Sequence, residues 1–283
     1  MTLAQLLTLS DARLTGERAE FFASNKKYVS CIFDDGESPL KHSSGIVCED
    51  TVFGWKYPLW YSTAITVTGG RFEEMARAGI WYTKDISLKN VLYIAPKGFR
   101  RSSGITLENV SFENAQETLW QCENVKMKNI KAKGDYFAMN CEKMDIDGLD
   151  LDGNYSFDGA KNVHIKNSRL LSKDAFWNSE NITAENSFIS GEYLGWNAKN
   201  LTLINCTIES LQGLCYIENL FMRECKTGAT TLAFEYSTVD AEIIGDVESV
   251  KNPLCGRIKA DKINELILEP ERVDVDKTQI IIG

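Results

Sequence analysis

Short segments in which apolar and polar residues alternate recur about every 19 residues along most of this chain. Alternation with a period of two is typical of β-strands, and no segment of the repeat keeps the 3.6-residue spacing of an amphipathic helix. Successive segments begin 19 or 20 residues apart, at Ile86, Ile105, Val125, Met144, Val163, Ile182, Leu201 and Leu220. The series extends back to Ile65 and Ile46 and forward to Val239 and Ile258.

This repeat predicts an all-β fold, a right-handed single-stranded parallel β-helix with short coils. The unit is too short for a strand, a crossover helix and a second strand, which together need about 30 residues. Crossover chirality favours the right-handed coil. We predict one domain over residues 1–283, with an N-terminal cap and first coil in 1–45, repeat coils in 46–258 and a C-terminal cap in 259–283. Residues 8–22 of the N-terminal cap could include one helical turn.

Four ladders of residues about one period apart support this register. Asparagine tolerates left-handed turn geometry, and its amide can bond to the copy in the next coil. One turn position holds Asn90, Asn109, Asn129, Asn167, Asn186 and Asn205. An inward apolar stack is predicted for Phe112, Ala132, Leu151, Leu170, Ile189 and Ile208. A small-residue slot holds Cys122, Cys141, Ala160, Ser179 and Ala198, and another holds Cys206 and Cys225, which we interpret as stacked core thiols.

The coil pattern N-[VIL]-x-[IL]-x-N resembles that of the pectin-lyase-like parallel β-helix superfamily. The whole chain, including the segments WKYPLWYS and RFEEMARAGIWYTKDISLKNVLYIAPKGFRRS, is similar to a bacterial family of proteins of unknown function, domain-of-unknown-function family 3737. The resemblance covers nearly the full length and implies the β-helix fold. Many relatives in the superfamily act on polysaccharides, which is an analogy at the level of the fold.

The catalytic motifs of that superfamily are largely missing from this sequence. Polygalacturonase-like enzymes combine N-T-D, D-D, G-H-G and R-I-K; here Arg257-Ile258-Lys259 matches the last, while N-T-D and G-H-G are absent. Asp34-Asp35 lies in the capping coil, far along the axis from Arg257. The arginine and calcium-binding carboxylates of pectate lyases are not found either. The standard activities are therefore disfavoured, and whether the protein is an enzyme stays open.

Five of the six tryptophans fall on one position of the repeat. That ladder holds Trp60, Trp81, Arg101, Trp120, Met139, Asp158, Trp177, Trp196 and Cys215. An outward ladder would form a platform for sugar rings, whereas an inward one would be core packing. Alternation from the buried small-residue slot favours the core. Asp158 interrupts the ladder; a carboxyl among aromatic rings could act as a general acid, or it could simply belong to a Phe157-Asp158-Gly159 turn.

Cationic residues four positions before this ladder suggest an anionic ligand. Lys56, Arg77 and Lys97 would lie on consecutive rungs, with Arg101 close by. Like charges stacked at strand spacing repel, and an anion such as a uronate or phosphate group could offset that. Alternatively, these long side chains splay into water.

Tyrosines and carboxylates form a neighbouring strip. Candidate ligand-binding residues are Tyr136, Tyr155 and Tyr193. Candidate catalytic residues are Glu117, Asp135, Asp158 and Asp174, since two carboxyl groups at a suitable separation can perform glycoside chemistry. The alternative is a solvated polar edge of the sheet.

Composition narrows the range of partners. A net charge of −9 and a pI near 5.0 argue against nucleic acid. The N-terminal segment lacks the features of a secretion signal and no apolar stretch could span a bilayer, so we expect a cytoplasmic protein with reduced cysteines and no membrane partner. His42 and His164 are far apart in sequence, and we expect no metal and no cofactor. The apolar end Ile280-Ile281-Ile282 could close the last coil or pair with another subunit as a homo-oligomer.

Two hypotheses follow. The first is a β-helix that binds or processes a carbohydrate along residues 56–197, with an anionic carbohydrate among the candidates. The second is a non-enzymatic structural or protein-interaction solenoid.

Overall fold

Residues 6–283 are described by the computed structural model, which divides the chain after Ala138 into two compact units. Almost all regular structure is β-strand, and the one helical element in residues 6–283 is a 3-10 turn over Val275–Lys277. No helix within this described range is both long enough and apolar enough to cross a membrane.

The first unit consists of strands that pair in parallel with strands one coil away. The strands are β1 Leu7–Ser10, β2 Arg13–Thr15, β3 Ser24–Val29, β4 Ile32–Asp34, β5 Ser44–Glu49, β6 Val52–Phe53, β7 Thr63–Thr68, β8 Arg71–Phe72, β9 Ile80–Trp81, β10 Lys84–Tyr93, β11 Phe99–Arg100, β12 Ser103–Phe112 and β13 Glu123–Lys133. One face runs through β1, β3, β5, β7, β10, β12 and β13, and a second through β2, β4, β6, β8 and β10. Strands β9 and β11 form a third.

The register of the first unit confirms the predicted period. Ile46 pairs with Ile65, Ile65 with Ile86, Ile86 with Ile105, and Ile105 with Val125. The repeat also begins earlier than predicted, because Leu7 already pairs with the residue one coil later, Lys26. The helical turn suggested for residues 8–22 is absent there, since β1 and β2 take part in the parallel pairing instead.

Aromatic rings fill the interior of the first unit. Phe33, Phe53, Phe72, Tyr93 and Phe112 are each at most 2% exposed and stack on one another with centroids 4.4–5.5 Å apart. Flat rings stack well here because parallel coils repeat at about 4.8 Å, close to the distance between stacked rings. The predicted inward position of Phe112 is confirmed and belongs to a longer stack.

The second unit repeats this plan of parallel strands. They are β14 Glu142–Asp152, β15 Lys161–Lys166, β16 Arg169–Leu171, β17 Glu180–Glu185, β18 Phe188–Ser190, β19 Lys199–Ile204, β20 Thr207–Leu211, β21 Glu218–Thr231, β22 Thr238–Ile243, β23 Asp246–Lys251, β24 Cys255–Ala260, β25 Lys262–Ile267 and β26 Thr278–Ile282. Val163, Ile182, Leu201, Leu220 and Val239 pair in succession, each 19 residues after the last. The predicted parallel β-helix is thus confirmed in each unit.

The last coils depart from the predicted register. Ile258 pairs with Ala241, two residues beyond the predicted partner Val239, because the intervening coil is shorter. The C-terminal strand β26 pairs in parallel with β24, so that Ile280 lies beside Ile258. The three terminal isoleucines therefore close a coil of their own chain, the first of the two arrangements considered for them.

Asparagine ladders secure the turns as predicted. Asn109 donates a hydrogen bond to Asn90 at 2.9 Å, and Asn205 donates to Asn186 at 2.7 Å. All four have φ between 48° and 55°, the left-handed region that asparagine tolerates better than most residues. A second ladder that the sequence analysis missed links Asn162, Asn181, Asn200 and Asn219 through bonds of 2.8–2.9 Å.

The cysteines are free thiols, and seven of the eight are buried. Cys206 and Cys225 are free thiols in the core, as predicted, and each donates to backbone carbonyls: Cys206 to Ala184 and Ile204 at 3.4 Å, and Cys225 to Leu203 and Arg223 at 3.3 Å. The small-residue slot is buried as predicted, with Cys122, Cys141 and Ala160 at most 2% exposed.

Candidate functional site

A groove of about 500 Å³ opens on the second unit, over the turns that follow β14, β16, β18 and β20. Its walls are Tyr155, Lys173, Asp174, Trp177, Tyr193, Trp196 and Gln212. The structure thus brings together three predicted site residues, Tyr155, Asp174 and Tyr193. It adds Lys173, Trp177, Trp196 and Gln212, which had not been selected as site residues.

Left-handed turn residues aim the side chains of the groove. In the turn after β16, Asp174, Phe176 and Asn178 have φ of 56°, 62° and 52°. Such residues break the strict in–out alternation of a strand. Phe176 therefore points into the core with 0% exposure, while the next residue, Trp177, is half-buried at the surface.

The prediction that the tryptophan ladder packs in the core is wrong. All five tryptophans on it are half-buried, and the residues just before them, such as Leu59, Leu119 and Phe176, fill the core. The ladder itself exists: the Asn178 N–H donates to the Trp196 carbonyl at 3.0 Å, so these two turns lie on adjacent coils.

In the first unit, the aromatic rings of this ladder pack against one another and against an arginine. Trp60 and Trp81 stack at 5.1 Å with an angle of 6° between their planes. The guanidinium of Arg100 lies 4.5 Å from the ring centroids of both Trp81 and Trp120. Assigning Arg101 to this position was wrong by one residue, since Arg100 pairs with Trp81 and Trp120 through the backbone. Each of these three rings therefore has at least one face occupied.

In the second unit, the same ladder is interrupted. Within residues 139–283, no ring or cation contacts the Trp177 indole, and Trp196 makes an edge contact with Tyr193 at 86° and 5.6 Å. Trp196 also packs against Tyr216 at 4.6 Å. The groove lies where aromatic stacking stops, which leaves the faces of the Trp177 indole available.

Asp174 is the most unusual group in the groove. It is 4% exposed, and within the described residues its carboxylate accepts no hydrogen bond and forms no ion pair within 4 Å. Burial raises its pKa; the charge of nearby Lys173 lowers it, and those of Glu192 and Asp158 raise it further. Burial likewise raises the pKa of Asp158, against the effect of a 3.4 Å hydrogen bond from the Asn178 amide.

The lysine of the groove has a partner already. Lys173 Nζ lies 3.1 Å from a Glu192 carboxylate oxygen and 5.4 Å from the centroid of the Tyr193 ring. The hydrogen bond and the charge of Glu192 raise the pKa of Lys173. Its charge is thus balanced by Glu192, whereas that of Asp174 is not.

Replacing Asp174 with asparagine should stabilise the protein at neutral pH by about 1 kcal/mol, because it removes a buried, unpaired charge. The raised pKa means that the folded protein holds the Asp174 proton more tightly than the unfolded chain does. The stability that wild type gains from protonated Asp174 is fully present below about pH 4, the ordinary range of an aspartate, and is lost as pH rises through the raised pKa. The difference between Asp174→Asn and wild type should therefore vanish in acid.

Urea unfolding at a series of pH values measures this difference. Asp152→Asn is the matched control, since Asp152 is an exposed aspartate at the end of β14. A variant Asp174→Asn that is less stable than wild type at neutral pH would show that the carboxylate has a stabilising partner.

The four predicted cationic residues belong to the first unit, and two of them form ion pairs there. Lys56 lies 3.1 Å from Glu37, and Lys97 lies 3.2 Å from Glu117. Glu117, a candidate catalytic residue, also accepts from Arg100 at 3.0 Å.

The remaining candidates of the first unit are Arg77, Arg101, Asp135 and Tyr136. Arg77 and Arg101 are exposed, and Arg101 donates to the Gln121 side chain at 2.9 Å. Asp135 and Tyr136 are half-buried in the turn after β13.

The two histidines lie at the surface. His164 is half-exposed between the buried Val163 and Ile165, as predicted, and its ring nitrogens lie 3.7 Å from Asp145 and 3.4 Å from Glu185. His42 stacks between Phe22 and Tyr61 at 5.4 and 5.2 Å. Within residues 6–283, no group of three or more His, Cys, Asp or Glu side chains is arranged to hold a metal ion.

Solved structures whose backbones resemble this one include those of a surface adhesin and an epimerase. The adhesin PfbA of Streptococcus pneumoniae is 10% identical, with a TM-score of 0.40 over 93% of this chain and 80% of the adhesin chain. The A-module of mannuronan C-5 epimerase AlgE4 from Azotobacter vinelandii is 9% identical, with a TM-score of 0.29 over 98% of this chain and 89% of the module. Similarity this low carries no argument about activity.

Sequence comparison gives one clear assignment. The search of curated proteins finds no match. A family model described as "Protein of unknown function (DUF3737)" matches residues 7–281, nearly the whole chain. This confirms the resemblance noted from the coil pattern, and the chain belongs to the DUF3737 family.

Proposed function

We propose that the groove of the second unit binds a carbohydrate. The observation that carries the proposal is the open indole of Trp177, which faces the groove beside Trp196, Tyr155 and Tyr193 where the aromatic ladder is interrupted. Sugar rings present apolar C–H faces that pack on aromatic rings, while their hydroxyl groups need polar partners. The Asp174 carboxyl and the Gln212 amide supply such partners within the same groove.

The size of the groove fits this class of ligand. A volume of about 500 Å³ lies within the range of small-molecule sites, roughly 300–1,000 Å³, and admits a short oligosaccharide. Tyrosine and tryptophan bury much area at a low cost in side-chain entropy, because each has only two rotatable side-chain bonds. The Lys173–Glu192 pair and the edge contact between Tyr193 and Trp196 hold the walls in place before a ligand arrives.

A glycan-binding screen followed by calorimetry tests the proposal. Trp177→Ala should weaken binding of the best oligosaccharide about tenfold or more, which corresponds to about 1.4 kcal/mol, because it removes the open aromatic face. Tyr61→Ala is the matched control: Tyr61 is a 45% exposed aromatic residue of the first unit, and its replacement should leave binding unchanged.

Two outcomes would count against the groove. Loss of binding in Tyr61→Ala with retention in Trp177→Ala would place the site on the first unit. A folded protein that binds no glycan would favour the alternative, a solenoid that acts through protein contacts. An assay for cleavage of the bound oligosaccharide, with Asp158→Asn and Asp174→Asn, tests whether these two carboxyl groups are catalytic as predicted.

A further inference from the structure

The charges of the groove specify a class of sugar, and this inference rests on the carbohydrate site proposed above. Lys173 has Glu192 as its partner at 3.1 Å, so this pair is close to neutral. Asp174 is 4% exposed and lacks an ion pair or hydrogen bond to its carboxylate within the described residues, and Asp158 lies near enough to influence it. The ionised groove therefore carries an excess of negative charge.

An ammonium group binds well in a groove that combines a buried carboxylate with aromatic rings. Ammonium ions are attracted to the faces of tryptophan and tyrosine, more strongly where water is excluded. The groove contains one internal example, because Lys173 Nζ lies 5.4 Å from the Tyr193 ring centroid. A second ammonium between the Trp177 and Trp196 rings would give Asp174 the counter-charge that the chain does not provide.

An anionic sugar fits these charges poorly. A uronate would bring a further negative charge towards Asp174, Asp158 and Glu192, and like charges in a partly buried site repel strongly. Of the cations expected to attract such a ligand, Lys56 and Lys97 have carboxylate partners of their own in the first unit. Arg77 and Arg101 are exposed in that unit, and none of the four lines this groove.

We infer that the groove binds an amino sugar, a saccharide with a free protonated amine, whose ammonium pairs with Asp174 between the aromatic rings. The ring carbons of the sugar pack on Trp177 and Trp196. The ammonium and the Asp174 carboxylate stabilise each other's charged forms.

Calorimetric titration of the full chain with three matched ligands tests this inference. They are a glucosamine oligomer with free amines, the N-acetylated oligomer with the same skeleton, and a galacturonate oligomer. We expect the free-amine oligomer to bind about tenfold more tightly than the N-acetylated one, since a hydrogen bond to a charged partner is worth about that factor. The galacturonate oligomer should bind most weakly.

Variants separate the charge from the rest of the groove. Asp174→Asn keeps the shape of the side chain and should abolish the preference for the free amine, while affinity for the N-acetylated oligomer stays within about threefold. Asp152→Asn, the exposed control, should keep the preference. The preference should also shrink at high salt, because it is electrostatic.

Each contrary result has a distinct meaning. Equal binding of the free-amine and N-acetylated oligomers would overturn the amine assignment and leave the carbohydrate groove in place. Binding of tetramethylammonium as tight as that of the glucosamine oligomer would show a plain cation site and overturn the assignment to a sugar. Failure of all three oligomers to bind would overturn both this inference and the proposed function.

Discussion

Replacing Phe176 with alanine is expected to lower the free energy of unfolding by about 3–5 kcal/mol. The side chain is 0% exposed and packs against Phe157 of the preceding coil at a centroid distance of 5.6 Å. Removing the ring leaves a cavity that neighbouring coils cannot fill, because their backbones are fixed by parallel pairing on both sides of the turn. Urea unfolding followed by circular dichroism measures the loss.

The neighbouring residue supplies the matched control. Trp177 is half-buried at the groove and has no ring partner in the second unit. Trp177→Ala should therefore cost less than about 1 kcal/mol of stability, as substitutions near the surface usually do, and act on ligand binding instead. Greater destabilisation by Trp177→Ala than by Phe176→Ala would mean that the tryptophan ladder is the core after all.

Replacing Arg100 with alanine should cost about 2 kcal/mol. The guanidinium is 24% exposed, lies 4.5 Å from the ring centroids of both Trp81 and Trp120, and donates to Glu117 at 3.0 Å. The substitution removes two partly desolvated cation–π contacts and leaves Glu117 with Lys97 alone.

Arg101 tests the same assignment from the next position. Its side chain is exposed, and its one side-chain hydrogen bond among the described residues goes to Gln121. Arg101→Ala should therefore change the free energy of unfolding by no more than about 0.5 kcal/mol. Thermal unfolding of the two variants, monitored by tryptophan fluorescence, distinguishes them. If Arg101→Ala were the more damaging substitution, the register of this coil would be the one inferred from sequence alone.

The strands and their register could be predicted because period-two alternation and a coil of nearly constant length determine both. Ile86 and Ile105 lie side by side because each begins the same strand one coil apart, and Asn90 and Asn109 bond because the turn position repeats with them. The shorter coil before Ile258 broke that rule, and sequence spacing alone could not reveal which residues it lacked.

The direction of the groove side chains could not be predicted in this way. Alternation was extended from Ser179 back through the turn and placed Trp177 in the core. The left-handed residues Phe176 and Asn178 rotate the chain at each step, so that Phe176 and Ser179 are both buried. Assigning side chains alternately to the inside and the outside fails at residues whose φ is positive.

The ion pairs, by contrast, could have been predicted from the sequence. Glu37 and Lys56 are 19 residues apart, Lys173 and Glu192 are 19 apart, and Lys97 and Glu117 are 20 apart, so the coil period alone makes each pair vertical neighbours. Examining carboxylates and lysines together along each ladder would have shown that Lys56 and Lys97 are paired. Such pairing weakens the case for an anionic ligand.

A crystal structure of the full chain with a bound glucosamine oligomer tests the central claim most directly. We expect one sugar ring to lie against the open face of Trp177, with its amine towards Asp174. The next sugar ring of the oligomer should lie towards Trp196. A ligand seated on the aromatic stack of the first unit while this groove stays empty would contradict the account.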